Sequence, residues 1–239
     1  MFNTSVSEFS GLKCRLLNTV PQGQEIRQLV ILCHGFGAPG DDLVGLGPEM
    51  LRRSPELSQS CQMVFPAAPL DLSHLGMPGS RAWWEINMAA LAMMHQTRNF
   101  EQLATVTPPG MHEASLQLAE AVKQMQSHFG VEDSATVLGG FSQGAMISTD
   151  LVLRHGFVPR QLCIFSGTMI CRDDWSELAA RHVGCPVYQS HGRTDQILPF
   201  SASLTLRDML TENGFDVTFE EFPGGHTIPP SALTCLTRG

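Results

Sequence analysis

The sequence contains no apolar run near the roughly 20 residues that a membrane-spanning helix requires. Residues 1–5 carry neither the charged segment nor the apolar segment that begins a secretory signal peptide. We therefore expect no stable membrane insertion, and a cytoplasmic location is the default expectation.

Clusters of basic residues are also missing. No group of Lys and Arg residues goes beyond Arg52 and Arg53, and the formal net charge is −8. Proteins that bind nucleic acids or anionic membranes present clustered basic side chains. The sequence therefore argues against nucleic-acid partners, anionic membrane surfaces and polyanionic substrates.

Paired cysteines and metal-ligand spacings are absent as well. The seven cysteines are an odd number, scattered along the chain, and none stands in a C-x-x-C pair. Most lie in apolar stretches, which predicts buried, reduced thiols rather than disulfides or metal ligands. No H-E-x-x-H or comparable spacing occurs, so we expect no metal site.

Short apolar runs typical of strands alternate with longer stretches of helical period along the 239 residues. This alternation predicts an α/β fold in a single domain, residues 1–239, with a mostly parallel central sheet flanked by helices. The predicted strands are residues 12–20 at an edge, 28–33, 61–65, 135–138, 162–165, 187–190 and 217–222. The predicted helices are residues 41–53, capped by Asp41 or Asp42, 111–129 and 201–213.

The pentapeptide G-F-S-Q-G at 140–144 directly follows the predicted strand 135–138. In that context G-x-S-x-G predicts a nucleophile elbow, a sharp turn from strand to helix that presents Ser142. Gly140 and Gly144 would let strand and helix approach without a Cβ clash. Because the same pattern also occurs in ordinary glycine-rich turns, other residues must decide between the two interpretations.

Two further loops carry groups suited to serine chemistry. In open α/β sheets, functional groups gather at the carboxyl ends of the strands. Asp195 follows the strand 187–190, and His226 lies in a glycine-rich loop after the strand 217–222. Serine, aspartate and histidine then follow the chain order of an α/β-hydrolase triad. Three other aspartates are alternatives for the acid, although none of them follows a strand in this order: Asp173, Asp174 and Asp216.

Each of these residues has a role in the mechanism that they predict. The Ser142 hydroxyl would attack an acyl carbonyl while His226 removes its proton, and Asp195 would orient the imidazole. Backbone N–H groups are suitable donors to the oxyanion that forms. The best placed are those of Gln143, at the start of the elbow helix, and Phe36, in the loop after the strand 28–33.

With these residues the chain resembles the phospholipase/carboxylesterase family of α/β-hydrolases, which includes bacterial carboxylesterases and acyl-protein thioesterases. The resemblance rests on H-G-F-G at 34–37, D-D-L at 41–43, R-A-W-W-E-I at 81–86, G-G-F-S-Q-G-A at 139–145, H-G with Asp195 and Pro199, and G-H at 225–226. It implies the α/β-hydrolase fold, hydrolysis of esters or thioesters by a Ser-Asp-His triad, oxyanion donors at Phe36 and Gln143, and no cofactor.

An insertion at about 70–110 is predicted to form a wall for the substrate, since aromatic and thioether side chains concentrate there. Residues 87–109 do not follow the family's pattern. Trp83, Trp84 and Met88 are the candidate substrate contacts, Trp83 because the corresponding aromatic residue of the family lies near the site. The alternatives are that these residues pack against the sheet, or that residues 88–94 join two copies in a homodimer.

The remaining histidines have structural interpretations. His34 and His191 each precede a glycine at a strand end, where they are expected to hold loop backbone by hydrogen bonds. The others lie in helical or irregular stretches and are expected at the surface: His74, His95, His112, His128, His155 and His182. Arg81 and Glu85 are expected to pair with each other.

The leading functional hypothesis is a serine hydrolase that cleaves esters or thioesters of small to medium acyl groups through an acyl-enzyme on Ser142. One alternative is a noncatalytic protein that uses the same cavity to bind an apolar ligand. Another, within the same enzyme class, is specificity for lysophospholipids or for acylated proteins.

Overall fold

A computed structural model of the chain describes residues 2–97, 99–181 and 184–237. The strands are β1 (Asn3–Phe9), β2 (Leu12–Asn18), β3 (Gln28–Cys33), β4 (Cys61–Pro66), β5 (Leu70–Asp71), β6 (Arg81–Ala82), β7 (Thr136–Phe141), β8 (Gln161–Phe165), β9 (Pro186–Gly192) and β10 (Asp216–Phe222). Eight of them form one sheet in the order β1-β2-β4-β3-β7-β8-β9-β10, and β5 pairs with β6 in a separate short hairpin.

Most of the large sheet is parallel. From β4 to β10 every neighbouring pair runs parallel, while β1 and β2 pair antiparallel with each other and β2 pairs antiparallel with β4. All six residues of β3 are buried, as expected for a central strand that is covered on both faces. The carboxyl ends of β7, β8, β9 and β10 therefore lie side by side at one edge of the sheet.

Helices cover both faces of the sheet. They are α1 (Leu46–Arg53), α2 (Pro55–Ser60), α3 (Met88–Thr97), α4 (Glu101–Thr105), α5 (Met111–Phe129), α6 (Gln143–His155), α7 (Arg172–Ala179) and α8 (Phe200–Glu212). Alternate residues of β3 point to opposite faces. Leu29 and Ile31 belong to the core shared with α5 to α8, whereas Val30 and Leu32 belong to the core shared with α1, α2 and the C-terminal 3₁₀ segment Pro230–Thr237.

The predicted fold class, a mostly parallel sheet with helices on both faces, is confirmed. The prediction that residues 12–20 form an edge strand is wrong, because β1 occupies the edge outside β2. β1 is polar and largely exposed, so it carries little hydrophobic signal. The predicted cap at Asp41 or Asp42 is also wrong: a 3₁₀ turn, Asp42–Gly45, precedes α1, and Asp41 makes no side-chain cap hydrogen bond.

All seven cysteines are buried, as predicted, and none is in a disulfide. Burial raises the pKa of Cys33 and of Cys61 to about 12, because a thiolate would lose its solvation there. Across the described ranges, no helix has the length and apolar character needed to cross a membrane.

Candidate active site

Ser142 lies at the sharp junction between β7 and α6. Its backbone has φ 55° and ψ −118°, a region that costs a non-glycine residue on the order of 1–3 kcal/mol. A Cβ on Gly140 or Gly144 would come within 2.4 Å or 2.0 Å of the Cys33 carbonyl oxygen. Both positions therefore require glycine, and the geometry is that of a strained strand-to-helix elbow.

The backbone on either side holds the elbow in place. Ser142 N–H donates to the carbonyl of Phe165, at the end of the neighbouring strand β8, at 2.9 Å. Gln143 is the first residue of α6, and the first N–H groups of a helix have no carbonyl partner within it. The helix N-terminus thus presents donors beside Ser142, with the partial positive charge of the helix dipole behind them.

His226 and Asp195 meet at the carboxyl ends of β10 and β9. The His226 Nδ1 atom lies 2.7 Å from Asp195 Oδ2. Because an ionised carboxylate only accepts hydrogen bonds, the proton is on Nδ1, which leaves Nε2 as an acceptor. The His226 ring packs against Phe141, the residue before Ser142, with a distance of 4.7 Å between ring centroids.

The carboxylate of Asp195 is fully buried and has a donor on each oxygen. Oδ1 accepts from the N–H groups of Ile197 at 2.8 Å and Leu198 at 2.9 Å. Burial by itself would raise the pKa of Asp195, but hydrogen bonds from His191, His226 and Leu198 N–H hold it well below its usual range. Asp195 is therefore an ionised acceptor beside His226 at neutral pH.

A cavity of about 910 Å³ opens over these groups. Ser142, His226, Phe36 and Gln143 all line it. Much of its remaining wall is apolar and comes from the segment before α5, from helix α6 and from loops after β8 and β9: Trp84, Ile86, Met88, Leu91, Met94, Leu103, Val106, Met146, Ile170 and Leu198. Its size and lining suit a small ligand with an apolar part.

The structure differs from the sequence prediction for one of the three candidate substrate contacts. Trp84 and Met88 line the cavity, but Trp83 is not among the lining residues. Trp83 is 1% exposed, and its indole N–H donates to the carbonyl of His34 at 3.0 Å. Trp83 therefore packs behind the wall, whereas Trp84 lines the cavity.

The side chain of Gln143 makes a clamp that the sequence analysis missed. Its Oε1 accepts from the N–H of Trp83, and its Nε2 donates to the carbonyl of Trp84, each at 2.9 Å. Gln143 is 2% exposed. The sequence predicts a role only for the backbone N–H of Gln143. A polar side chain directly after the elbow serine is the feature that could have indicated the clamp.

His34 holds loop backbone, as predicted. Its Nε2 accepts from Ala68 N–H at 3.0 Å, so its proton is on Nδ1, which lies 2.8 Å from the Gly35 carbonyl. Burial lowers the pKa of His34, which favours this neutral form. The expected pair of Arg81 and Glu85 is wrong. Arg81 instead donates to the carbonyls of Ala68 and Pro69, and Glu85 lies 3.0 Å from His74.

The alternative acids Asp173, Asp174 and Asp216 are all exposed. Asp174 pairs with Arg154 at 3.4 Å, and it is Asp195 that lies against His226. Among the histidines expected at the surface, His74, His112 and His128 are exposed, whereas His155 is half-buried beside Ser115. His182 and the side chain of His95 lie outside the described residues. In the described ranges, no group of three potential ligand residues could hold a metal ion.

The sequence model of the phospholipase/carboxylesterase family matches residues 16–238. The chain belongs to the phospholipase/carboxylesterase family. Membership confirms the predicted family and the predicted enzyme class, a hydrolase of esters or thioesters.

Named relatives of this phospholipase/carboxylesterase family member are thioesterases and esterases. It is 29% identical over 218 residues to acyl-protein thioesterase 1 of Eremothecium gossypii, a match that covers 89% of this chain and 86% of the relative. It is 25% identical over 232 residues to acyl-protein thioesterase 1 of Emericella nidulans, covering 92% and 91%.

Solved structures agree on the α/β-hydrolase fold. The chain is similar to esterase PE8 with a TM-score of 0.73 and 25% identity, covering 98% of this chain and 96% of the other. A carboxylesterase from Mesorhizobium loti has a TM-score of 0.71 at 18% identity, covering 98% and 97%, and shows the fold alone.

Proposed function

We propose that the chain hydrolyses carboxylic esters or thioesters through an acyl-enzyme on Ser142. The observation that carries the proposal is that one cavity is lined by both the strained elbow serine and the histidine of a buried histidine–aspartate pair. A strained serine without a base, or a base without a nucleophile, would not support this chemistry.

The proposed steps follow from the positions of three side chains. His226 Nε2 takes the proton of the Ser142 hydroxyl as its oxygen attacks the acyl carbon. Asp195 keeps the other ring nitrogen protonated and stabilises the imidazolium that forms. Collapse of the tetrahedral intermediate expels the alcohol or thiol with that proton, and water then releases the acid by the same route in reverse.

The N–H groups of Gln143 and Phe36 are the proposed donors to the tetrahedral oxyanion. Helix α6 and the Gln143 clamp fix the first. Two hydrogen bonds fix the loop of the second: Gly37 N–H donates to the Arg81 carbonyl at 2.9 Å, and Arg81 N–H donates to Ala38 at 3.0 Å. Donors held in advance cost little reorganisation in the transition state, and each is typically worth about 10²–10³ in rate.

The acyl group is proposed to lie against Trp84, Met88 and the other apolar residues of the cavity wall. The charged groups among the described lining residues are Asp42 and Glu85, and no Lys or Arg is among them. A neutral or cationic leaving group therefore suits the site better than a polyanionic one. The names of the relatives favour thioesters of acylated proteins as the second candidate within the class.

Substitution of the nucleophile tests the proposal. Ser142→Ala is expected to lower kcat on p-nitrophenyl acetate by roughly 10³-fold or more, since it removes the attacking atom. Ser201→Ala is the matched control, because Ser201 is exposed at the start of α8 and outside the cavity lining. Turnover by Ser142→Ala at the rate of the control would refute the proposal, whereas a wild type that shows no turnover above the uncatalysed rate would favour the noncatalytic binding protein.

Rates on paired ester and thioester series of increasing acyl length distinguish the substrate candidates. A sharp fall beyond short chains would favour small esters, and a preference for long thioesters would favour acylated proteins. We also propose residence in a reducing compartment such as the cytoplasm, which the seven free cysteines support.

A further inference from the structure

His191 is a buried imidazole directly behind the candidate catalytic pair. It is the penultimate residue of β9 and is 0% exposed. The next residue, Gly192, is so close to the loop of His226 that a Cβ there would lie 2.3 Å from the carbonyl oxygens of Gly224 and Gly225. The end of β9 thus supports the His226 loop, and the ring of His191 lies 6.1 Å from the ring of Phe200 between centroids.

Only one nitrogen of His191 has partners in the part of the chain that the structure describes. Nε2 lies 3.0 Å from the Leu198 carbonyl oxygen and 3.2 Å from Asp195 Oδ2, while Nδ1 is buried and without a partner. Both neighbours of Nε2 are acceptors, so an Nε2–H has the Leu198 carbonyl as a hydrogen-bond partner and Asp195 Oδ2 within reach. A proton on Nδ1 would have no acceptor, a cost of about 1–3 kcal/mol for a buried donor. The geometry therefore selects the tautomer with its proton on Nε2.

The same carboxylate oxygen receives both imidazoles. Asp195 Oδ2 lies 2.7 Å from His226 Nδ1 and 3.2 Å from His191 Nε2, whereas Oδ1 is held by two backbone N–H groups. We propose that His191 is a positioning residue for the reaction, which holds Oδ2 of Asp195 in line with His226 by donating a hydrogen bond from Nε2. This inference rests on the proposed function of Asp195 and His226.

The second donor has two effects on Asp195. It adds a second restraint on Oδ2, which His226 also holds, and so further limits rotation of the carboxylate about its Cβ–Cγ bond. It also draws negative charge on Oδ2 toward His191 and away from His226, which limits how strongly Asp195 favours the imidazolium form of the base. His191 is the first of the hydrogen-bond partners that hold the pKa of Asp195 below its usual range against the effect of burial.

Among the described residues, the charged groups nearest this pair are few. Asp42 and Glu85 line the cavity that His226 also lines, and Glu85 lies beside His74. On the outer side, Arg193 forms an ion pair with Glu221, which is opposite His191 in the register of β10 with β9. None of these side chains changes in the variants below, so differences between variants report on His191.

Two variants separate positioning from packing. His191→Leu fills much of the same space with an apolar side chain but removes the donor. His191→Gln instead provides an amide N–H near the position of the imidazole Nε2–H. For p-nitrophenyl acetate we expect His191→Leu to lower kcat about tenfold, as loss of an outer hydrogen-bond partner commonly does, with KM changed less than about twofold. The acid limb of the pH–rate profile of His191→Leu should move to higher pH, because Asp195 Oδ2 then directs more negative charge toward His226. His191→Gln should recover kcat to within about threefold and return the acid limb toward that of the wild type.

An NMR titration of ¹⁵N-labelled histidine in the Ser142→Ala background tests His191 without turnover. The pH at which the His226 ring titrates should be higher in His191→Leu than in the parent and restored in His191→Gln. An unmoved titration with only a lower Tm would overturn the proposal, as would a His191→Gln variant that titrates like His191→Leu. Absent hydrolysis by the wild type would contradict the proposed function, and this titration would still decide the role of His191.

Discussion

Because the Gln143 side chain holds the backbone of Trp83 and Trp84, substitution of Gln143 is expected to lower the stability of the fold and to disturb the cavity wall. Gln143→Met keeps nearly the same side-chain volume, so it leaves little cavity and introduces little strain. It removes the acceptor for Trp83 N–H and the donor for the Trp84 carbonyl, and Gln143 is 2% exposed, so water cannot replace them.

The expected loss follows from those two backbone groups. A buried donor or acceptor left without a partner costs about 1–3 kcal/mol, so the pair predicts a fall of about 2–6 kcal/mol in the free energy of unfolding. Gln143→Glu should also destabilise the fold. Its carboxylate can still accept from Trp83 N–H, but its second oxygen faces the Trp84 carbonyl, and a charge is buried without a counterion.

Urea denaturation followed by tryptophan fluorescence measures the loss, and kcat/KM measured in parallel reports the disturbed wall. Gln22→Met is the control, because Gln22 is exposed in a loop and its substitution should stay within about 0.5 kcal/mol. A loss below about 1 kcal/mol for Gln143→Met would refute the clamp as an energetic feature.

Two further predictions concern the elbow and the acid. Gly144→Ala should abolish or severely reduce soluble, folded protein, because its Cβ would lie 2.0 Å from the Cys33 carbonyl oxygen. Gly45→Ala should be neutral or stabilising, since a Cβ on Gly45 would have no neighbouring atom within 4 Å and the φ of Gly45 is −60°. Equal Tm values for Gly144→Ala and Gly45→Ala would contradict this steric explanation. Asp195, whose pKa is lowered in the folded state, contributes stability above the unfolded value of about 4, and this contribution is lost as the pH falls below it. The difference in urea stability between wild type and Asp195→Asn should therefore shrink between about pH 6 and 3, and a difference independent of pH would refute this assignment.

The sequence was most informative where pattern and topology agree. β3 and α5 have the predicted bounds, because each has a strong apolar signal with clear ends. The loops after β7, β9 and β10 share one edge because those strands are parallel and lie in one run of the sheet. This placement could be argued from strand order alone, without any knowledge of side-chain contacts.

Features that depend on side-chain direction could not be predicted. Trp83 and Trp84 are identical neighbours in the sequence, and nothing in the sequence distinguishes the one whose indole donates to His34 from the one that lines the cavity. The position of His191 beside Asp195 likewise depends on the loop after β9. There the Leu198 carbonyl bonds to His191 and the Leu198 N–H bonds to Asp195. The helix α7 was missed because its eight residues are mostly polar.

The central claim is that Ser142 is the nucleophile of a serine hydrolase. Incubation with a fluorophosphonate probe, followed by intact mass measurement and peptide mapping, tests it most directly, because phosphonylation requires a serine activated by its base. We expect one adduct per chain, located on Ser142 and absent from Ser142→Ala. An unmodified wild-type chain, or an adduct at another residue that persists in Ser142→Ala, would contradict it.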